Sequence, residues 1–196
     1  MKRLILLLFF ISFGIQSWTK ADDIRDFQIE GMSIGDSLLD TMSAKEIENK
    51  DKKYHYSTKD YYQIAIYDNL NIYELVTIHL KSNDKKYIIE NISGVLEFKE
   101  KNNQSKKKCK NIMKDISASL LENFDLTNIE DKGKSSWDKS GKSTYIRNNF
   151  KFSNANRYQI TVICQFWDVS TPFSYVLKTT ISSLKFLDYL STKAYN

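Results

Sequence analysis

The chain has little proline, glycine, histidine, cysteine or arginine: one, six, two, two and four residues among 196. So few prolines and glycines exclude a collagen-like or low-complexity disordered chain. The two histidines, His55 and His79, stand apart, and no Cys-x-x-Cys or His-x-x-x-His spacing occurs. Metal binding needs such spacings to bring several ligands onto one ion, so neither a metal nor any other cofactor is expected. Beyond Ala21, no apolar run approaches the roughly 20 residues that a membrane-spanning helix needs. No transmembrane segment is therefore expected in that part of the chain. Lysine outnumbers arginine by 25 to 4, and isoleucine, asparagine, tyrosine and phenylalanine are plentiful. AT-rich coding DNA produces such usage, which says little about function.

The N-terminus is what the rest of the chain is not. Lys2 and Arg3 precede an apolar run from Leu4 to Ile15, and Thr19 and Ala21 give a small-x-small pattern. This is the pattern of a cleaved secretory signal over residues 1–21, and it predicts a soluble periplasmic or secreted chain beginning at Asp22. The overall balance of 29 basic to 24 acidic residues becomes 26 to 24 once that segment is removed. The net charge of the remainder is small, which removes most of the support for nucleic acid as a partner. Cys109 and Cys164 then form an even pair in an exported chain, which favours a disulfide. Two buried free thiols are the other possibility.

The periodicity beyond Asp22 alternates between helix and strand. A short strand is expected at Asp26–Glu30 and a helix from Asp36, with Leu38, Leu39 and Met42 on one side. Ser43-Ala44-Lys45-Glu46 is a capping box, which starts a second short helix. Strand-like runs follow at Tyr61–Tyr67, Ile72–Lys81 and Lys86–Phe98, the last bulged around Gly94. Cys109, Ile112, Met113, Ile116 and Leu120 then fall on one helical stripe, with Lys110, Lys114 and Ser117 elsewhere. Thr127–Ser143 reads as a long loop around Trp137. Three more strands are expected at Thr144–Phe152, Tyr158–Trp167 and Phe173–Ser182, and a C-terminal helix from Ser183. This order predicts an α+β domain of two αβββ halves, residues 22–98 and 99–196. Their strands would share one antiparallel sheet, with the helices on one face. Cys109 lies on the apolar helix stripe, and Cys164 on the core side of YQITVICQFW, so a helix-to-sheet disulfide suits both.

Residues 35–40, GDSLLD, resemble the nucleophile block of GDSL-type ester hydrolases, in which Ser37 would attack the ester. A serine needs a nearby base, and that family takes it from an Asp-x-x-His block near the C-terminus. No histidine follows His79. The family's Gly-x-Asn-Asp block has only Lys81-Ser82-Asn83-Asp84 as an imitation, and its parallel sheet does not fit the strand order. The same residues are fully accounted for as a helix start, with Ser37 capping and Asp36 at the positive end, and that is the expectation. Gly141-Lys142-Ser143 and Gly133-Lys134-Ser135 lack the glycine that a phosphate-binding loop needs five positions earlier, and a strand follows them. The lysines at 106, 107, 108, 110 and 114 could attract an anionic surface, or form an ordinary solvated helix face. Trp137, in a polar loop, is either offered to a partner or tucked onto the sheet, and the tucked arrangement is the expectation.

The stretch Asp22–Asp40, DDIRDFQIEGMSIGDSLLD, resembles the start of small exported proteins of AT-rich marine alphaproteobacteria. The resemblance extends weakly to ICQFWDVS at 163–170 and LDYLSTKAY at 187–195. It implies a periplasmic location and brings no catalytic residues. More loosely, the αβββ order is similar to β-lactamase-inhibitor-like and outer-membrane-assembly lipoprotein domains, which are binding modules, though no lipobox cysteine lies near position 21. The expectation is therefore a non-catalytic binding or structural protein, whose partner is a periplasmic protein or small ligand. A Ser37 hydrolase is the alternative.

Overall fold

A computed structural model describes residues 23–195. The apolar N-terminal segment and its expected cleavage point lie outside the described residues. Seven strands form one antiparallel sheet: β1 (Tyr61–Ile66), β2 (Leu75–Lys81), β3 (Ile89–Phe98), β4 (Leu126–Lys134), β5 (Thr144–Phe152), β6 (Ile160–Phe166) and β7 (Tyr175–Ser182). Their order is β1-β2-β3-β7-β6-β5-β4. Two meanders thus meet where β3 pairs with β7, from Asn91↔Ser182 to Phe98↔Tyr175. Three helices accompany them: α1 (Ala44–Asn49), α2 (Asn103–Asn123) and α3 (Leu184–Thr192). Among the described residues, no helix is long and apolar enough to cross a membrane.

The α+β class agrees with expectation, but the second half carries four strands where three were expected. The extra one is β4, in a stretch that reads as loop. It lies at the sheet edge with β5 as its sole strand partner. Charged and polar residues suit an edge, where one side of the backbone faces water, and Leu126 is the only buried residue in β4. The Asp131–Arg147 ion pair fastens it to β5. The strand expected at Asp26–Glu30 is absent. Ile24–Asp26 is a 3-10 turn, and only the single bridge Ile29↔Met32 forms nearby.

The helices do not share one face. Cys109, Met113, Ser117 and Leu120 are the buried line of α2, which packs on β6, β7 and β4. On that side a core runs through Phe150, Val162, Leu177, Ile78 and Leu80, and Ile29, Met32, Leu38 and Ile47 from the N-terminal segment join it over the β1–β3 end. Ser117 belongs to the buried line, contrary to the periodicity reading. It donates to the Met113 carbonyl at 2.7 Å and accepts from Asn148 Nδ2 at 2.9 Å, which satisfies a hydroxyl that would otherwise be costly to bury. Strand alternation sends Tyr61 and His79 to the opposite face, where Phe186 and Tyr189 of α3 pack against them.

Two carboxylates explain where strands begin and bend. Glu30 accepts from the backbone N–H groups of Asn71, Ile72 and Tyr73 at 2.7–2.8 Å, so these residues precede β2 instead of opening it. The bulge in β3 falls at Glu90, where His79 pairs with Asn91 but Leu80 pairs with Ile89. It thereby turns Glu90 toward the start of α3, where the carboxylate accepts from Ser183 Oγ and Lys185 Nζ and meets the positive end of the helix dipole. Gly94 is unbulged. A Cβ there would lie 2.6 Å from three ring carbons of Tyr73, so the glycine admits that ring against the strand.

Candidate functional site

Cys109 and Cys164 are joined, with Cα atoms 6.1 Å apart, and the bond ties α2 to β6. It helps to set the position of α2 over the β4–β5 edge. The i, i+4 spacing places Lys106 and Lys110 on one side of the helix. Across from them Lys132 and Lys134 alternate along β4, paired with Ile146 and Thr144 of β5. Between them lies a groove of about 360 Å³, with the aromatic side chain of Phe166 among its lining residues. The Lys106 ammonium stands 5.7 Å from the centre of that ring and 5.5 Å from Tyr175, and Lys110 stands 5.9 Å from Phe166. Cation–aromatic attraction of this kind holds the ammonium groups near the apolar surface. No carboxylate lines the groove, and none of the four lysines has an ion-pair partner among the described residues.

Four like charges around an apolar surface repel one another, and an entering anion relieves that repulsion. The groove therefore has the chemistry to hold phosphate or carboxylate groups on a molecule with an apolar part. A larger recess of about 450 Å³, beside Glu30 and Glu46, lacks this character. It is lined by three carboxylates, Glu30, Glu46 and Asp68, of which Glu30 is committed to three backbone N–H groups and Glu46 to the Ser43 cap. Among the described residues, no group of three metal-ligating side chains comes together.

At the same end of the sheet, residues 135–143 connect β4 to β5. Asp138 organises this loop by accepting from Ser140 N, Ser143 N and Ser143 Oγ at 2.6–3.0 Å. The Ser143 hydroxyl bond is foremost in holding its carboxyl far below the usual carboxylate range. Ser143 Oγ also accepts from Asp168 N at 2.8 Å, which links the loop to the β6–β7 connection. Gly141-Lys142-Ser143 is thus a turn, with Gly141 at φ +68°, and its serine joins two loops. Trp137 projects from this turn, 87% exposed and not tucked onto the sheet.

Ser37 lies at the far end of the β3 side. Its hydroxyl donates to the Lys86 carbonyl at 2.7 Å and accepts from Leu39 N at 3.2 Å, capping the 3-10 turn Leu38–Asp40. The surrounding block docks onto the start of β3, where Ile89 N donates to Asp36 O and Gly35 N to Ile89 O. Both histidines are engaged elsewhere. His55 Nε2 pairs with Gln63 Oε1 at 3.0 Å. His79 Nδ1 pairs with Asn91 Oδ1 at 2.9 Å, and its burial pushes the imidazole down to about 4.

Of the residues singled out in sequence, the structure joins Cys109 to Cys164 and leaves Ser37 and Trp137 in separate places. Lys106 and Lys110 were visible as part of a basic cluster. Lys132 and Lys134 were hidden in the apparent loop, and strand alternation opposite Thr144 and Ile146 was the signal that could have found them. Comparison with known protein families, with curated proteins and with solved structures found no match to this chain.

Proposed function

We propose that this is an exported, periplasmic, non-catalytic binding protein that takes an anionic ligand in the groove between α2 and the β4–β5 edge. The observation that carries the reading is the convergence of Lys106, Lys110, Lys132 and Lys134 around Phe166, with no carboxylate in the lining and no ion-pair partner for any of the four among the described residues. The ligand class is an amphiphile whose phosphate or carboxylate meets the ammonium groups while its apolar part covers the ring. The signal-like N-terminus and the disulfide support an extracytoplasmic place of work. Ser37 has a sufficient occupation as a cap, and the two histidines that could serve it as a base are bonded to Gln63 and Asn91.

Calorimetric titration with inorganic tripolyphosphate at low salt tests the groove. Binding is expected, weakening as salt screens the charges. Charge-assisted hydrogen bonds are worth roughly 1.5–3 kcal/mol when protected from water, and less on an open surface. Each Lys→Ser change at 106, 110, 132 or 134 is therefore expected to weaken binding about three- to tenfold. Undiminished binding by a variant lacking all four lysines would overturn the proposal.

A further inference from the structure

The end of the sheet that carries the groove also carries three strongly exposed apolar side chains. Trp137 is 87% exposed in the β4–β5 loop, and Val169 and Phe173 are 73% and 55% exposed in the β6–β7 loop. The two loops are fastened to each other by the Ser143–Asp168 hydrogen bond. The second loop is fastened to the start of α2, because Lys101 Nζ donates to the carbonyls of Asp168 and Thr171 at 2.9 and 2.5 Å. Phe173 is further braced by Trp167, ring centres 4.9 Å apart. The exposed apolar groups therefore sit on mutually bonded loops.

Charge is polarised toward the β4–β7 part of that end, away from the β1–β2 connection at 67–74, which carries Asp68 and Glu74 and no basic residue. Segment 99–110 holds six lysines and 132–143 holds four, whereas these segments and 166–174 contain one acid each. Residues 22–196 as a whole carry 26 basic and 24 acidic side chains, so the rest of that chain is net negative. One corner, built by the start of α2 and the β4–β5 and β6–β7 loops, that is both strongly cationic and tipped with Trp, Val and Phe matches a surface with anionic headgroups above hydrocarbon. A soluble acidic polymer would use the lysines and leave the apolar tips in water.

We infer that this corner docks on an anionic lipid membrane. Trp137, Val169 and Phe173 enter the interface, loop lysines such as Lys139 and Lys142 meet the headgroups, and the groove receives one of those headgroups. The inference rests on the anion-binding reading of the groove for its last element alone. Attachment is reversible, because three side chains bury too little apolar surface for permanent insertion.

Co-sedimentation of the protein with vesicles tests it. One set is phosphatidylcholine alone, and the other is equal parts phosphatidylcholine and phosphatidylglycerol. Tripolyphosphate titration serves as the groove readout in parallel. The wild type is expected on the mixed vesicles and weakly on the neutral ones. Trp137→Ser is expected to weaken the mixed-vesicle interaction about tenfold, and Lys139→Ser with Lys142→Ser about fivefold for each charge. Trp137→Ser removes no charge and leaves the groove lysines in place, so it should bind tripolyphosphate as the wild type does. Tripolyphosphate binding without vesicle binding, or vesicle binding that survives Trp137→Ser unchanged, overturns the membrane inference and leaves the groove reading standing. Vesicle binding lost on Trp137→Ser, with no tripolyphosphate binding by the wild type, overturns the groove reading and leaves the membrane face standing.

Discussion

Reducing the Cys109–Cys164 bond is expected to remove about 4 kcal/mol of stability. The two cysteines are 55 residues apart in sequence. Closing a loop of that length in the unfolded chain lowers its entropy by roughly 14 cal/mol/K, or about 4 kcal/mol at room temperature. Both cysteines are fully buried, and reduction removes no side chain and so opens no void, although the two sulfurs must move apart from bonded to van der Waals distance. At about 2.1 cal/mol/K of unfolding entropy per residue, a domain of this size should melt roughly 10 °C lower when reduced. In urea, with a slope of about 2 kcal/mol/M, the midpoint should fall by roughly 2 M. Paired urea titrations with and without reductant, followed by far-ultraviolet circular dichroism, measure this directly. The Cys109→Ala/Cys164→Ala variant should lose still more, because it adds a void beneath α2. A difference below about 1 kcal/mol between oxidised and reduced protein would refute the entropic reasoning, and two free thiols by non-reducing mass spectrometry would refute the bond itself.

His79 should make stability fall in mild acid. Its folded pKa of about 4 lies below the ordinary imidazole value of 6.5, so the unfolded chain takes up the proton first. The contribution is intact above about pH 6.5 and is lost as pH falls toward 4. It amounts to about 3 kcal/mol at most, and a His79→Gln variant should show a correspondingly flatter stability profile over that window in urea titrations. Gly94→Ala should destabilise by about 1–3 kcal/mol through overpacking against Tyr73. Adding Tyr73→Ala should make the double variant lose less than the sum of the two single losses, and simple additivity in the urea cycle would show that the ring is not what the glycine accommodates.

How much of the fold was legible depended on whether a local pattern also carried the tertiary contact. In α2, the stripe from Cys109 to Leu120 served both helix and core, and in β6 alternation from Ile160 to Phe166 did the same. These elements and their disulfide could be read directly. The expected strand at Asp26–Glu30 failed because its polar partner is remote. Glu30 is spent on the backbone of residues 71–73, an arrangement that no local period encodes. Placing α3 failed for a related reason. Its apolar face, Phe186 and Tyr189, is evident, but nothing local says which side of the sheet it meets. That choice follows from the bulge at Glu90, which presents a carboxylate to the α3 N-terminus on the face opposite α2.

The candidate site was the least legible because it is made from unremarkable parts. A lysine on a helix face is ordinarily solvated, and a Lys-Gly-Lys run in a polar stretch ordinarily marks a loop. Neither half of the groove signals function alone. Two non-local facts give them meaning together: β4 occupies the sheet edge beside β5, and the disulfide holds α2 above β6 so that Lys106 and Lys110 face that edge. GDSLLD shows the opposite case, a block whose letters suggest chemistry while its geometry supplies structure. The Ser37 hydroxyl is occupied by the Lys86 carbonyl and the Leu39 amide, and the backbone around it fastens the N-terminal segment to β3. A short motif therefore had to be judged by what its side chains bond, and a diffuse charge pattern by where the sheet brings its parts. On that ground the lysines, and not the serine, are the residues on which binding should depend.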